Sequence, residues 1–215
     1  MSVIAICSLK GGTGKSTIAL NLGSILSKQK HKVLVFDADP NGSIAHWQEI
    51  RKQDKPEILV EPKPVIHIDK RIELEARKFD IVIIDTPPYA SERVRTAINT
   101  ADRLLIPIVP GVMDIWRIER LLDMYRNTQS FNPGLDARLL ISRVDKRTRV
   151  GREFRRNIEG IGPTVLNTEI MERVIYGKVW PAGLTVDKLE PAGPGAEDFK
   201  KLAREVLDWI KVPGS

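Results

Sequence analysis

Cysteine is almost missing from this chain: Cys7 is the only one in 215 residues. A single thiol excludes an intrachain disulfide and any metal site built on a cysteine pair within one chain. It also excludes an iron–sulfur cluster shared between two copies, which needs at least two cysteines from each. No apolar run is long enough to span a bilayer, and the N-terminus carries no cationic segment followed by a long apolar stretch. A cytosolic protein is therefore expected. The chain also lacks an internal repeat, a low-complexity tract and a Gly/Ser- or Pro-rich linker, and its length suits one α/β domain over residues 1–215 with a full core. Acid is in short supply relative to base. The chain has 34 Lys and Arg against 28 Asp and Glu, a formal charge of +6 and a pI near 9.5. Such a balance favours a polyanionic partner but does not identify one.

What the chain does contain is a glycine-rich phosphate-binding loop. Val3 to Cys7 is an apolar run of strand length. It leads into Leu9-Lys10-Gly11-Gly12-Thr13-Gly14-Lys15-Ser16-Thr17, and Ile18 to Ser27 then repeats apolar residues at helical spacing. Strand, loop and helix in that order are the context such a loop requires. The glycines let the backbone wrap closely around phosphate oxygens, with successive N–H groups and the positive end of the following helix aimed at the anion. Lys15 is placed to reach the β- and γ-phosphates, Ser16 to ligate Mg²⁺, and Thr17 to hydrogen-bond the α-phosphate. The loop is a variant, because Leu9 stands where the usual pattern begins with glycine. It also carries a second lysine, Lys10, at its entrance, where the geometry favours a phosphate on a second subunit over its own.

Two acidic strand ends follow. Lys32 to Phe36 reads as a parallel strand leading into Asp37-Ala38-Asp39-Pro40-Asn41, and carboxylates at strand C-termini lie on the ligand side of an open parallel sheet. Asp80 to Asp85 is an uninterrupted β-branched run closed by an acid, as expected of a strand covered on both faces. Asp85 is accordingly the Walker B carboxylate, placed to bind Mg²⁺ through water and to bond Ser16.

The sequence Lys-Gly-Gly-Thr-Gly-Lys-Ser-Thr, taken with Asp37 to Asp39 and Asp85 to Pro88, resembles the ParA/MinD family of deviant Walker ATPases, and the resemblance covers essentially the whole chain. It implies an α/β fold, doubly wound, with a mostly parallel sheet and helices on both faces. It implies ATP and Mg²⁺ as ligands, and a homodimer in which Lys10 crosses to the partner's nucleotide. Carried over, Asp39 orients the attacking water, Asp37 supports Mg²⁺ or its waters together with Ser16 and Asp85, and Thr86-Pro87-Pro88 opens a loop that responds to the γ-phosphate. Asn41 departs from the glutamine common in relatives. Pro110-Gly111 and Asp114 also fit the family. Residues just past the Asp136–Ser142 strand border the adenine in relatives, which points to Arg143.

Between these motifs the sequence predicts a helix over Ile44 to Lys52 with Trp47 and Ile50 inward, and a short edge element at Ile58-Leu59-Val60 among Pro56, Pro62 and Pro64. Helices are further predicted over Asp69 to Lys78, Ser91 to Thr100 and Val112 to Asn127, and a strand over Arg103 to Ile108. From Arg143 to Arg156 the chain is strongly basic, with Lys146, Arg147, Arg149, Arg152, Arg155 and Arg156 opposed only by Asp145 and Glu153. On a helix beginning near Val150, Arg152, Arg155 and Arg156 share one face while Phe154 and Ile158 point inward. With almost no interleaved aromatics and no recognition-helix signature, this face suits duplex DNA bound without sequence preference, and Arg173 and Lys178 extend it.

The C-terminal stretch Ala196 to Lys211 aligns Phe199, Leu202, Ala203, Val206, Leu207 and Ile210. Its polar side mixes acids with lysines, which favours a core-packing helix over a lipid-binding one. The chain starts directly on its first strand, leaving no room for an N-terminal helix-turn-helix. The expectation is a small ParA-type ATPase, nucleoid-associated, that segregates a plasmid, chromosome or protein cargo and responds to a ParB-like or cargo-adaptor protein. The rivals are a MinD-like membrane-positioning ATPase, a small-molecule kinase or ligase of the same fold, and a nucleotide-gated binding module with negligible hydrolysis.

Overall fold

Runs such as Ile81–Asp85, buried at every residue, form strands that need cover on both faces, and the helices between them supply it. The structure is a computed structural model that describes residues 1–51, 59–60, 68–75, 78–111 and 115–212. The order is β1 (Ser2–Ile6), α1 (Lys15–Lys28), β2 (Val33–Asp37), α2 (Ser43–Ile50), β3 (Leu59–Val60), α3 (Ile68–Glu75), β4 (Ile81–Asp85), α4 (Glu92–Thr100), β5 (Arg103–Ile108), α5 (Ile115–Gln129), β6 (Asp136–Val144), α6 (Arg149–Ile158), β7 (Thr164–Met171), α7 (Ile175–Ala182), α8 (Val186–Leu189) and α9 (Pro194–Lys211).

The strands form one seven-stranded sheet in the order β3-β2-β4-β1-β5-β6-β7, parallel at every pairing. Strand side chains alternate between two cores, as a period of two requires. Ile4, Ile6, Val33, Val35, Ile81 and Ile83 pack against α1, α7 and α9, whereas Val3, Ala5, Leu34, Phe36, Val82 and Ile84 pack against α3, α4, α5 and α6. The sheet is thus doubly wound, as the sequence predicts. The apolar stripe of α9 is internal: Phe199, Leu202, Ala203 and Val206 are fully buried, with Leu207 and Ile210 partly so. Among the described residues no helix is long and apolar enough to cross a membrane.

Several boundaries differ from those expected. The helix predicted over Ile44 to Lys52 is Ser43–Ile50, with Trp47 buried and Ile50 half-buried, and the one over Asp69 to Lys78 is Ile68–Glu75. The edge element near Ile58 is a two-residue strand, Leu59–Val60, at the sheet margin. Ile58, Pro56, Pro62, Pro64 and Asp114 lie outside the described residues. β7 and α7 have no counterpart in the sequence reading.

Candidate active site

Four loops converge at the C-terminal ends of β1, β2, β4 and β6. β1 lies at the centre of the sheet, between β4 and β5, where the strand order reverses, and open α/β sheets bind ligands at such a switch point. Register aligns the acids: Ile6 and Asp37 are both partners of Asp85 on their flanking strands.

The loop from Lys10 to Lys15 turns through two left-handed glycines, Gly12 at φ 75° and Gly14 at φ 87°. Gly14 is the N-cap of α1 and has no side chain to satisfy the first N–H groups of the helix. The first bond inside the helix runs from Ile18 N–H to Gly14 O (2.8 Å), so the amides of Lys15, Ser16 and Thr17 have no partner further back in the helix. They lie beside a cavity of about 300 Å³ lined by the loop, Asp39, Pro88 and Trp180. This is an anion-binding helix terminus with a pocket in front of it.

Lys15 is buried, 7% exposed, and among the described residues its Nζ makes only a long contact to Lys10 O (3.5 Å). Burial pushes its pKa down, opposed chiefly by Asp85 and more weakly by Cys7 and Asp39. Lys10 is different. It is exposed, and its side chain makes no hydrogen bond or ion pair among the described residues.

The three aspartates also differ. Asp85 is fully buried, and among the described residues neither carboxylate oxygen makes a hydrogen bond. Burial raises its pKa to about 7, offset first by the neighbouring Ser16 hydroxyl, while the charge of Asp37 adds to the rise and Lys15 lowers it. A buried carboxylate without hydrogen bonds among the described residues, beside the Ser16 hydroxyl of the phosphate loop, fits a hard divalent cation. Among the described residues no group of three His, Cys, Asp or Glu side chains could hold a metal on its own. Mg²⁺ takes one or two protein oxygens and completes its shell with water and substrate phosphates.

Asp37 is fully buried too, but its oxygens are engaged: Oδ1 accepts from Asp39 N–H (3.0 Å), and Oδ2 from Ile44 N–H (2.9 Å) and Ala45 N–H (3.1 Å). Burial raises its pKa against the pull of these bonds. In this structure it fastens the start of α2 to the end of β2. The metal-supporting role expected of it has to share the carboxylate with that duty. Asp39 instead lines the pocket, and its Oδ1 accepts from Asn41 N–H (3.0 Å). Ala38 N–H donates to Asp85 O (2.8 Å) and Arg93 Nη1 to Ala38 O (3.2 Å), so the Asp39 turn is held by both β4 and α4. Thr86 Oγ1 donates to Ile6 O (2.8 Å), tying the loop after β4 to β1.

A second cavity of about 290 Å³ adjoins the first at Gly12, Gly14, Thr17 and Trp180. Its walls combine apolar Ile18, Ile170 and Phe199 with Ser142, Arg143, Glu172 and Tyr176, which places Arg143 beside the loop. Glu172 directly follows β7, and Tyr176 and Trp180 lie on α7. A signal was available in Leu166, Thr168 and Ile170, which alternate along β7 with Leu166 and Ile170 buried.

The basic segment is less free than its composition suggested. α6 starts at Thr148, whose Oγ1 caps it by accepting from Gly151 N–H (3.0 Å), and Phe154 and Ile158 are buried as predicted. The expectation that only Asp145 and Glu153 oppose the cations is corrected, because β7 brings Glu169 and Glu172 alongside. Arg155 binds Glu169 (3.0 Å) and two carbonyls, Leu166 O and Asn167 O, and Lys146 also pairs with Glu169. Arg155 is thus half-buried and does not share the outward face with Arg152 and Arg156. Arg147 pairs with Asp145 and Arg149 with Glu153. Arg152 donates to Lys146 O and Arg147 O, while exposed Arg156 and Lys178 have no charged partner among the described residues. Arg173 does not extend the face: it binds Asp198 (2.7 Å), which also accepts from Tyr176, and lines the second cavity.

A phosphate loop at a switch point, a helix terminus left for an anion and a buried carboxylate without hydrogen bonds define a P-loop nucleotide-binding protein. Residues 4–179 match the CobQ/CobB/MinD/ParA nucleotide binding domain, and the chain belongs to that family. It is 28% identical over 211 residues to the Maintenance of carboxysome distribution protein A of Halothiobacillus neapolitanus, covering 95% of each chain. It is 26% identical to the chromosome-partitioning ATPase Soj of Thermus thermophilus, covering 97% of this chain and 96% of that one. Its fold matches cobyrinic acid a,c-diamide synthase from Mycobacterium smegmatis, solved with ADP and magnesium, at a TM-score of 0.78 and 18% identity, covering 98% and 96%. Since that enzyme is a synthase, the fold is compatible with more than one activity.

Proposed function

We propose that this chain is a positioning ATPase that dimerises around two Mg·ATP, binds duplex DNA without sequence preference in that state, and releases it when a ParB-like or cargo-adaptor protein stimulates hydrolysis. The cargo is a plasmid, a chromosome or a protein assembly, and the protein works on the nucleoid in the cytoplasm. The observation that carries this reading is the contrast between the two loop lysines. Lys15 is buried in the loop's own pocket, whereas Lys10 is exposed at its entrance without a side-chain partner among the described residues, available to a second copy. Similarity to proteins of carboxysome distribution and chromosome partition supports the positioning role.

In this mechanism the amides of Gly11 to Thr17 and Lys15 hold the phosphates, and Lys10 of the partner adds charge where it develops in transfer. Asp39, held by the Asn41 N–H and the Ala38 contacts, aligns the attacking water. Ser16 and Asp85 would hold Mg²⁺, with Asp37 supporting its waters, and the ion would neutralise phosphate charge. Arg143 borders the nucleotide. Lys146, Arg147, Arg149, Arg152, Arg156 and Lys178 face DNA, with Arg152, Arg156 and Lys178 the least encumbered. A membrane-bound alternative is not adopted, because the apolar stripe of α9 is already covered by the core.

The test is an electrophoretic shift of arbitrary duplex with ATP, ADP or no nucleotide, paired with sedimentation in a non-hydrolysable triphosphate. A shift only with ATP, weakening steeply with salt, and a dimer only with triphosphate are expected. A monomer at saturating triphosphate, or DNA binding indifferent to nucleotide, overturns the proposal.

A further inference from the structure

Arg143 has a positive φ of 56°, a conformation shared among the described non-glycine residues only with Lys30. It lies in an irregularity of the β6–β7 ladder, where the register shifts between Ile141 and Val144. A bulge of this kind re-aims a side chain, and a non-glycine residue in left-handed backbone stores strain that its surroundings must hold. Here the surroundings do so with three hydrogen bonds. Nε and Nη2 bind the two carboxylate oxygens of Glu172 (2.7 and 3.2 Å), and Nη1 donates to Gly12 O (2.7 Å). Glu172 is itself anchored, its N–H donating to Val144 O (2.9 Å). The mutual Arg–Glu hold raises the pKa of Arg143, so the guanidinium is charged throughout.

Gly12 stands inside the phosphate loop at φ 75°, a left-handed conformation that glycine adopts without a side-chain penalty. Because a peptide unit is planar and trans, fixing the direction of the Gly12 carbonyl also fixes the direction of the Thr13 N–H, opposite to it. We propose that the Glu172–Arg143 pair is a latch on Gly12 that holds the phosphate loop in its anion-binding form, making Arg143 and Glu172 positioning residues for phosphate. This deepens the nucleotide-binding reading and rests on it. It differs from a base-contacting role for Arg143, since a latch acts on any ligand that uses the loop, whether or not it carries a base.

The test compares binding of a fluorescent ATP analogue with its displacement by inorganic tripolyphosphate, in the full chain and in two independent variants. Arg143→Gly suits the positive φ, so the backbone is kept while the guanidinium is lost. Glu172→Gln keeps the guanidinium and removes its charged anchor. Loss of a short charge-assisted bond corresponds to about tenfold, and both variants should weaken the analogue and tripolyphosphate by similar factors without lowering the melting temperature. The double variant should be little worse than either single one, as two parts of one device are. Weakened analogue with unchanged tripolyphosphate overturns the latch in favour of a base contact, and variants equal to wild type overturn it outright. A wild-type chain that binds neither ligand overturns the nucleotide-binding reading itself.

Discussion

Two charged regions at the same end of the sheet are built by opposite rules. Around Lys15, Asp37 and Asp85 the charges are buried, few, and bonded mainly to backbone or to nothing at all. Between Arg143 and Arg156 they are many and exposed, and most are matched by carboxylates. In the first region an unpaired group is costly, so its survival in the fold points to a ligand. In the second, water satisfies an unpaired cation at little cost, so composition alone says little about binding. The difference makes the first region the stronger guide to chemistry, and the variants below are chosen to test it.

The largest effects should come from the first region. Lys10→Ala and Asp39→Ala should each retain ATP binding and lower phosphate release by ~100-fold or more, in the range of lost transition-state contacts. Lys15→Ala should lose binding as well. Single-turnover assays with a labelled triphosphate separate the two patterns. Equal turnover in Lys10→Ala would remove the partner subunit's lysine from the mechanism.

Next come the two buried aspartates, which should respond with opposite signs. Asp85 is an acid whose folded pKa, about 7, lies above its ordinary value of 3.8. The folded state therefore holds the proton more tightly than the unfolded state between these values. Its contribution to stability is most favourable below pH 4, declines as pH rises to about 7, and stays at its least favourable above that. Asp85→Asn should accordingly raise the melting temperature of the nucleotide-free protein at pH 8, by ~2–4 °C for each kcal/mol in a chain of this size, while abolishing Mg²⁺-dependent binding. Asp37→Asn should lower it, because an amide keeps one accepting oxygen and sets its NH2 against either the Asp39 N–H or the Ile44 and Ala45 N–H groups, at ~1–3 kcal/mol for each donor left unsatisfied. Calorimetry at pH 5 and pH 8 checks both signs, and two stabilising substitutions would erase the distinction drawn between these residues.

This contrast also explains what was legible in the sequence. The phosphate loop, Asp37, Asp39 and Asp85 lie on contiguous segments, where a strand's end and a helix's start are neighbours in the chain; the loop and Asp39 line one pocket, and Asp37 and Asp85 lie buried side by side at the adjoining strand ends. Glu169 and Glu172 meet the basic segment only through the β6–β7 pairing, 14 residues on for Arg155 and 29 for Arg143. No local pattern around Arg155 announces such a partner. Arg173 is misread for the same reason, since Asp198 is 25 residues away on α9. β7 itself is harder to see than β4, because its run mixes Thr, Asn and Glu with the apolar residues, as suits a strand at the sheet's edge.

In the basic segment, then, the cations should not be equivalent. Arg152→Ala and Arg156→Ala should each weaken DNA binding a few-fold at moderate salt and reduce the slope of log K against log salt by about one if each contacts one phosphate. Arg155→Ala should change the slope less and the melting temperature more, because Glu169 would keep only Lys146 and two carbonyls would lose their donor. Titrations at three salt concentrations distinguish these patterns. Equal slopes for all three would mean that the ion pairs rearrange on binding and that the division within this region is not functional.

The smallest effect is expected where the sequence departs from its relatives inside the first region. Asn41 is exposed, and what it supplies to Asp39 is its backbone N–H, 3.0 Å from Oδ1, a contact any non-proline residue makes. Asn41→Gln should therefore leave hydrolysis within about twofold of wild type, the size of a surface change that touches no buried group. A much larger change, in either direction, would mean that the side chain reaches the reacting phosphate or the partner's face, and the pocket as drawn around Asp39 would lack one of its walls. Steady-state phosphate release with and without DNA decides the point.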